Sequence, residues 1–195
     1  RHKLLGQIAA ALIVMAFGVK IEFVTNPFGG MIYLGVFSIP ITIVWIVAFM
    51  NVVNFIDGLD GLAAGVSAIG SLAMAAAALG NHQSRLVVLS LALAGSALGF
   101  LRYNFNPAQI FMGDAGAMFL GFTIAGISAI GALKTPATLV LAVPVIVMGV
   151  PVLDTAFAIF RRVRRGVPVS SADRDHVHHR LLAMGMTQRQ AVLTL

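Results

Sequence analysis

Asn51-Val-Val-Asn54-Phe-Ile-Asp57-Gly58-Leu-Asp60-Gly61 closes an apolar run of membrane-spanning length. Two asparagines and two aspartates meet there, with two glycines to bend the backbone. Four polar side chains at the end of an apolar helix cost free energy unless they are partnered or functional. Asn51, Asn54 and Asp57 recur every third residue, so on a helix they share one face. Gly58 breaks that helix, and Asp60 is placed to cap the next. A polar turn with a cap accounts for Asp60 taken alone. It does not account for paired asparagines deeper in the span. The stretch therefore reads as the lining of a polar site at a membrane–water boundary.

The rest of the chain fits that setting. Of 195 residues, 59% are hydrophobic and 10% charged, and the mean hydropathy is +0.96. A soluble domain is about half apolar and about a quarter charged. The expected fold class is all-α, a polytopic transmembrane helix bundle forming one integral membrane domain over residues 1–195. Strand-type alternation is absent, which argues against a barrel. Cysteine is absent too, which removes disulfides and thiolate metal sites. No cleavable signal peptide is recognisable. The chain opens on Arg1-His2-Lys3 without Met and stops at Ala191-Val-Leu-Thr-Leu195, so it is expected to be a portion of a longer one.

A hydrocarbon core about 30 Å thick takes roughly 20 helical residues. That ruler predicts six spans, near residues 4–23, 36–56, 62–80, 86–103, 115–133 and 136–158, and the start of a seventh near Thr187. Thr25-Asn-Pro-Phe-Gly-Gly30 is a turn that could carry a short hairpin between the first two. Gly95-Ser-Ala-Leu-Gly99 suits close helix packing. Pro144, Gly149 and Pro151 predict a broken sixth span that aims Asp154 into the bundle. Alternating spans leave Lys20, Arg85 and Lys134 on one side and the other ten of 13 Lys and Arg on the opposite side, which the positive-inside rule assigns to the cytosol. Six of the seven acidic residues fall on that same side. Insertion topology does not require this clustering, whereas a cytosolic active site does.

Two further clusters lie on that side. Asn104-Phe-Asn-Pro-Ala-Gln-Ile-Phe111-Met-Gly113-Asp114-Ala-Gly116 is a loop leading into a helix start. Its glycines leave the backbone open to a ligand. Asp114 reads either as a cap or as a hard oxygen donor of the kind Mg²⁺ takes beside phosphate oxygens and water. Phe111 reads either as core or as a base-stacking ring. Within a basic, His-rich cytosolic loop over residues 159–186, Asp173-Arg-Asp-His176-Val-His178-His179-Arg180 offers a solvated surface, a zinc site or a cradle for phosphates. Flanking arginines and the lack of Cys favour the cradle. Arg161, Arg162, Arg164 and Arg165 read as an anchor to anionic lipid. Carboxylates for a divalent cation, cations for phosphates and a membrane location together suit phosphoryl transfer to a lipid phosphate.

Residues 51–61, Phe111-Met-Gly-Asp114-Ala-Gly116 and His176-Val-His-His-Arg-Leu181 resemble three signature blocks of the polyprenyl-phosphate N-acetylhexosamine-1-phosphate transferases. The blocks follow the family's order. The His-x-His-His-Arg-Leu form resembles the N-acetylglucosamine-1-phosphate branch more than the phospho-MurNAc-pentapeptide translocase. The resemblance implies that undecaprenyl phosphate attacks the β-phosphorus of a UDP-amino sugar, releasing UMP, on the cytosolic face of a bacterial plasma membrane. It implies Mg²⁺, or Mn²⁺ in its place, on Asp114. Asp57, Asp60, Asp114, His176, His178 and His179 would be catalytic. Lys3, Asn51, Asn54, Asn104, Phe111, Gly113 and Arg180 would bind substrate, with Asn104 and Phe111 near the uracil. Partners would be the sugar nucleotide, the polyprenyl phosphate, membrane lipid and, as a further candidate, a second copy of the chain, with no nucleic acid. The family's adjacent Asp pair would fall before Arg1, so these residues alone are expected to be inactive. The rival reading is a membrane transporter with a polar site on its cytosolic face; it would need carboxylates near mid-membrane.

Overall fold

The computed structural model describes residues 2–25, 30–132 and 183–194, with isolated positions at 145, 149, 160, 164, 166 and 181. Helix α1 spans His2–Ala16, α2 Ser38–Ile56, α3 Leu62–Gly80, α4 Ser84–Asn104, α5 Gly113–Ala132 and α6 Gln188–Thr194. Strands β1 (Phe23–Thr25) and β2 (Met31–Tyr33) pair antiparallel between α1 and α2, with Phe23 opposite Tyr33. Among the described residues, four helices are long and apolar enough to cross a membrane: Gly35–Ile56 (counting the 3-10 turn that leads into α2), Leu62–Gly80, Ser84–Asn104 and Gly113–Gly131. The hairpin is where the Asn-Pro and Gly-Gly punctuation puts it. The predicted sixth span, with Pro144, Pro151 and Asp154, lies outside the described residues, as does nearly all of the 159–186 loop.

The first span departs from expectation. Helix α1 has 15 residues, about 22 Å at 1.5 Å per residue, which is short of a hydrocarbon core. Gly18 ends it at φ +90°. The Gly18 amide donates to Met15 O (2.9 Å) and the Val19 amide to Val14 O (3.3 Å), the Schellman arrangement that satisfies the last carbonyls. The chain then runs extended instead of continuing as helix to residue 23. Side chains of α2 make that possible: Thr42 Oγ1 accepts from the buried Ile21 amide at 3.0 Å, and Ser38 Oγ donates to Ile21 O at 2.8 Å. Backbone inside an apolar layer needs such internal partners.

Helix α3 packs chiefly on α4, α2 on α5 and α1 on α2. The close approach of helices is at Gly121. A Cβ there would run into Phe49 O and lie 2.7 Å from Met50 Cα. The predicted site for such packing, Gly95 and Gly99, is instead open among the described residues, none of which lies within 4 Å of either added Cβ. The reason is phase. Leu86, Ser90, Leu93, Ala94 and Ala97 form the buried stripe of α4, and the two glycines lie on its other face. The start of α1, the end of α2, the start of α3, the end of α4 and the start of α5 all gather at one end of the bundle. The β-hairpin and the turn at 81–83 occupy the other.

Candidate active site

At the gathered end, three helices each deliver one polar side chain to the same point. Lys3 leaves the first turn of α1, Asn54 the last turn of α2 and Asp114 the first turn of α5. The Lys3 ammonium donates to Asn54 Oδ1 at 2.6 Å and to Asp114 Oδ2 at 2.9 Å. The Asn54 amide donates to Asp114 Oδ1 at 3.0 Å, closing a triangle. Asp114 suits its place, because a carboxylate in a first turn faces the positive end of the helix dipole. Its side chain is 70% exposed and that of Lys3 39%. An ion pair so open to water adds little to folding, so the cluster is not explained by stability.

Asp57 stands at the C-cap of α2, with ψ +32° taking it off the helix. Its carboxyl is pushed up to about 6, first by burial and then by the charge of Asp114. Among the described residues no hydrogen bond or ion pair reaches it. Two neighbouring carboxylates, one of them unpartnered, are a donor set that a divalent cation would relieve. No group of three or more His, Cys, Asp or Glu among the described residues is placed to hold a metal by itself. One or two carboxylates completed by phosphate oxygens and water is the usual Mg²⁺ arrangement, so these residues fit that ion in company with a phosphorylated ligand.

Asp60 and Asn104 have turned to other work. Asp60 does not cap α3: Gly61 holds the N-cap position at φ +85° with no side-chain bond. That left-handed turn sends the Asp60 carboxylate toward the loop after α4, where Oδ2 accepts from Asn106 Nδ2 (3.0 Å) and the Ala108 amide (3.1 Å). Asn104 is buried. Its Oδ1 accepts from the Gly61 amide at 3.0 Å and its Nδ2 donates to Ile110 O at 2.9 Å. The two side chains thus brace the 105–112 loop against the α2–α3 turn. That loop presents Phe111, 78% exposed and therefore not core, and enters α5 through Gly113 at φ +65°. Asn51, the deeper asparagine, faces Gln7 of α1.

Beside the cluster, a groove of about 460 Å³ opens between α1 and α5. His2 and Lys3 stand at its mouth, and Gly6, Met50, Phe119 and Phe122 line its apolar length. His176, His178, His179 and Arg180 lie outside the described residues; Leu181, just after them, packs against the core. The sequence reading did not single out Gln7, Asn106, Gln188 or Arg189. Asn106 Nδ2 donates to Gln188 Oε1 (2.8 Å), and Arg189 Nε donates to Asn106 O (2.7 Å), tying α6 to the same loop. Gln7 had a signal: it is the one amide side chain in an apolar helix, one turn beyond Lys3.

A family described as glycosyl transferase family 4 matches residues 1–132. The chain is 44% identical over 194 residues, 99% of its length, to a probable undecaprenyl-phosphate N-acetylglucosaminyl 1-phosphate transferase of Bacillus subtilis (strain 168), covering 54% of that protein. It is 39% identical over 219 aligned positions to a decaprenyl-phosphate N-acetylglucosaminephosphotransferase of Mycolicibacterium smegmatis, covering 99% of this chain and 53% of that one. A phospho-N-acetylmuramoyl-pentapeptide-transferase of Desulforudis audaxviator is 36% identical over 218 positions, covering 100% and 60%. The chain spans about half the length of the curated relatives it matches.

Proposed function

The chain belongs to glycosyl transferase family 4, and from that premise we propose that its protein transfers GlcNAc-1-phosphate from a UDP-sugar to undecaprenyl phosphate. The observation that carries this reading is the Lys3–Asn54–Asp114 triangle, with Asp57 beside it, at the mouth of an apolar groove. A lipid phosphate asks for that combination: charge handling at the membrane boundary and an apolar channel for its chain.

An oxygen of the lipid phosphate attacks the β-phosphorus of the sugar nucleotide. The bond from that phosphorus to the bridging oxygen breaks, and UMP leaves with the electron pair. Bound Mg²⁺ supplies charge neutralisation on the diphosphate. Asp114 and Asp57 are the carboxylates to hold it. Lys3 and Asn54 fix the orientation of Asp114, and the Lys3 ammonium offsets further phosphate charge. Phe111 offers an open ring face for the uracil. His176, His178, His179 and Arg180 are assigned to the phosphates by the resemblance of their block. A phosphomonoester with a second pKa of about 6 is already largely ionised at neutral pH, so the attack requires no dedicated base. The balance of Lys and Arg favours a cytosolic site on the plasma membrane. The carboxylates lie at helix ends rather than at mid-span, which favours transfer over transport.

The test is a substrate screen on the natural full-length protein in undecaprenyl phosphate vesicles. UDP-GlcNAc is compared with other UDP-sugars, with and without Mg²⁺. UMP release that needs both the lipid phosphate and the metal is expected. Release that is indifferent to the lipid phosphate overturns the reading.

A further inference from the structure

One helical turn beneath the Lys3 triangle lies a second polar tier made by the same three helices. Lys3 and Gln7 are four residues apart on α1, Asn54 and Asn51 three apart on α2, and Asp114 and Met118 four apart on α5, so each lower residue sits under its upper one. Gln7 is 2% exposed. The Asn51 amide donates to Gln7 Oε1 at 3.0 Å, and Gln7 Nε2 donates back to Asn51 Oδ1 at 3.3 Å. Asn51 Nδ2 also donates to Val47 O at 2.7 Å, and Gln7 Nε2 to Met118 Sδ at 3.3 Å. Every donor and acceptor on the two amides is used. Each carbonyl oxygen keeps one lone pair, but no amide N–H is left over to meet a ligand.

We infer that Gln7 is a positioning residue, and that its reciprocal amide pair with Asn51 sets the axial register of α1 so that the Lys3 ammonium stands between Asn54 and Asp114. A part-buried pair of this kind, anchored on the buried Gln7, tolerates little sliding. Moving α1 by one residue is a rise of about 1.5 Å and a turn of about 100°, which removes both bonds and strips the Gln7 amide and Asn51 Oδ1 of these partners in an apolar layer, while Asn51 Nδ2 keeps only Val47 O. Apolar contacts alone do not enforce this. The inward face of α1 carries Ala11, Val14 and Met15 beside Gln7, and small or flexible side chains of that kind accept shifted packing. Asn51, expected from the resemblance to bind substrate, acts here through Lys3.

The inference rests on the transfer reading only for its activity arm, so the experiment carries a second readout. In the natural full-length protein, Gln7→Leu/Asn51→Leu replaces both partners by apolar groups, a change that spares folding because no buried polar atom is orphaned. The exchange Gln7→Asn/Asn51→Gln restores an amide pair of the same total length. Gln7→Met, close in shape, serves if the double-Leu protein fails to fold. Lys3 acylation by an amine-reactive reagent is followed by mass spectrometry against Lys20 as internal control, alongside kcat/KM for UMP release.

The expected result is Lys3 labelling several-fold faster in the double-Leu and Gln7→Met proteins, with Lys20 unchanged. A loss of at least about tenfold in kcat/KM should accompany it, since small misplacements of a positioned group cost that much. Both values should return toward native in the exchanged pair. Unchanged Lys3 labelling, activity within about twofold of native, or an exchanged pair no better than double-Leu each overturns the inference. Altered labelling in a protein whose native form releases no UMP would uphold the register lock and refute the transfer reading.

Discussion

Lys3 and Asp114 are 111 residues apart in the chain and 2.9 Å apart in space. Their meeting requires the start of α1 and the start of α5 to lie at one end of the bundle, with Asn54 between them. Since so open an ion pair contributes little to stability, the effects of breaking it should appear in chemistry. Lys3→Gln keeps a donor for Asn54 and Asp114 but removes the positive charge. It should lower kcat/KM for UMP release by roughly 100–1,000-fold, the scale of one lost charge-stabilising donor, and move Tm by little. Lys3→Arg should recover only part, because a planar fork cannot place a point charge between the two partners. Steady-state kinetics beside a thermal melt checks both.

Asp57 yields a pH prediction with a definite sign. Its carboxyl is pushed up to about 6 in the fold from an ordinary value of 3.8, and burial is the first cause. Between those values the folded protein holds a proton that the unfolded chain has released. Stability from this group is therefore full below about 4 and is lost as pH rises through 6. Asp57→Asn should raise Tm above pH 7 in chelator, and the difference should close near pH 4. The same substitution should lower transfer sharply, a trade common at sites that store unfavourable charge. Melts across pH 4–8, with and without Mg²⁺, test it.

Asn104 is 3% exposed and its amide spans from the Gly61 amide to the Ile110 carbonyl. Asn104→Leu orphans both backbone groups at a cost of about 1–3 kcal/mol. The 105–112 loop should loosen as a consequence, seen as faster proteolysis there and weaker UDP binding through Phe111. Asp60→Asn should do less, since an amide oxygen can still accept from the Ala108 amide.

Gly121 tests the packing that holds α5 against α2. A Cβ at this position meets backbone rather than a flexible side chain, so Gly121→Ala must push the helices apart and should cost about 1–3 kcal/mol. The same change at Gly95, where no described residue lies within 4 Å, should be neutral or slightly stabilising through helix propensity. Parallel melts of the two proteins decide.

Much of the architecture could be read from apolar run lengths. The spans at α2, α3, α4 and α5, and the hairpin before α2, lie within a few residues of their predicted places. Helix α1 was overextended because apolar content persists past Ala16; what ends it is the left-handed Gly18 and the hydroxyls of Ser38 and Thr42, which are tertiary facts. Packing glycines were misassigned for a similar reason. A GxxxG spacing says that two residues share a face, and says nothing about which face meets a neighbour. In the candidate site, the spacing of Asn51, Asn54 and Asp57 showed a common stripe, but not that Asn51 would be taken up by Gln7. The left-handed turn at Gly61 decides where Asp60 points, and no local pattern announces it.

If Asp114, held by Lys3 and Asn54, belongs to a cation-dependent phosphosugar transfer site, its loss must abolish metal-dependent turnover. The most direct measurement is UMP release from UDP-GlcNAc by the natural full-length protein in undecaprenyl phosphate vesicles, with Mg²⁺ titrated, native against Asp114→Asn. Metal-dependent turnover is expected in the native protein, with a fall of at least about 100-fold in the variant at near-native Tm. Turnover by Asp114→Asn at the native rate with the same Mg²⁺ dependence would contradict that role for Asp114.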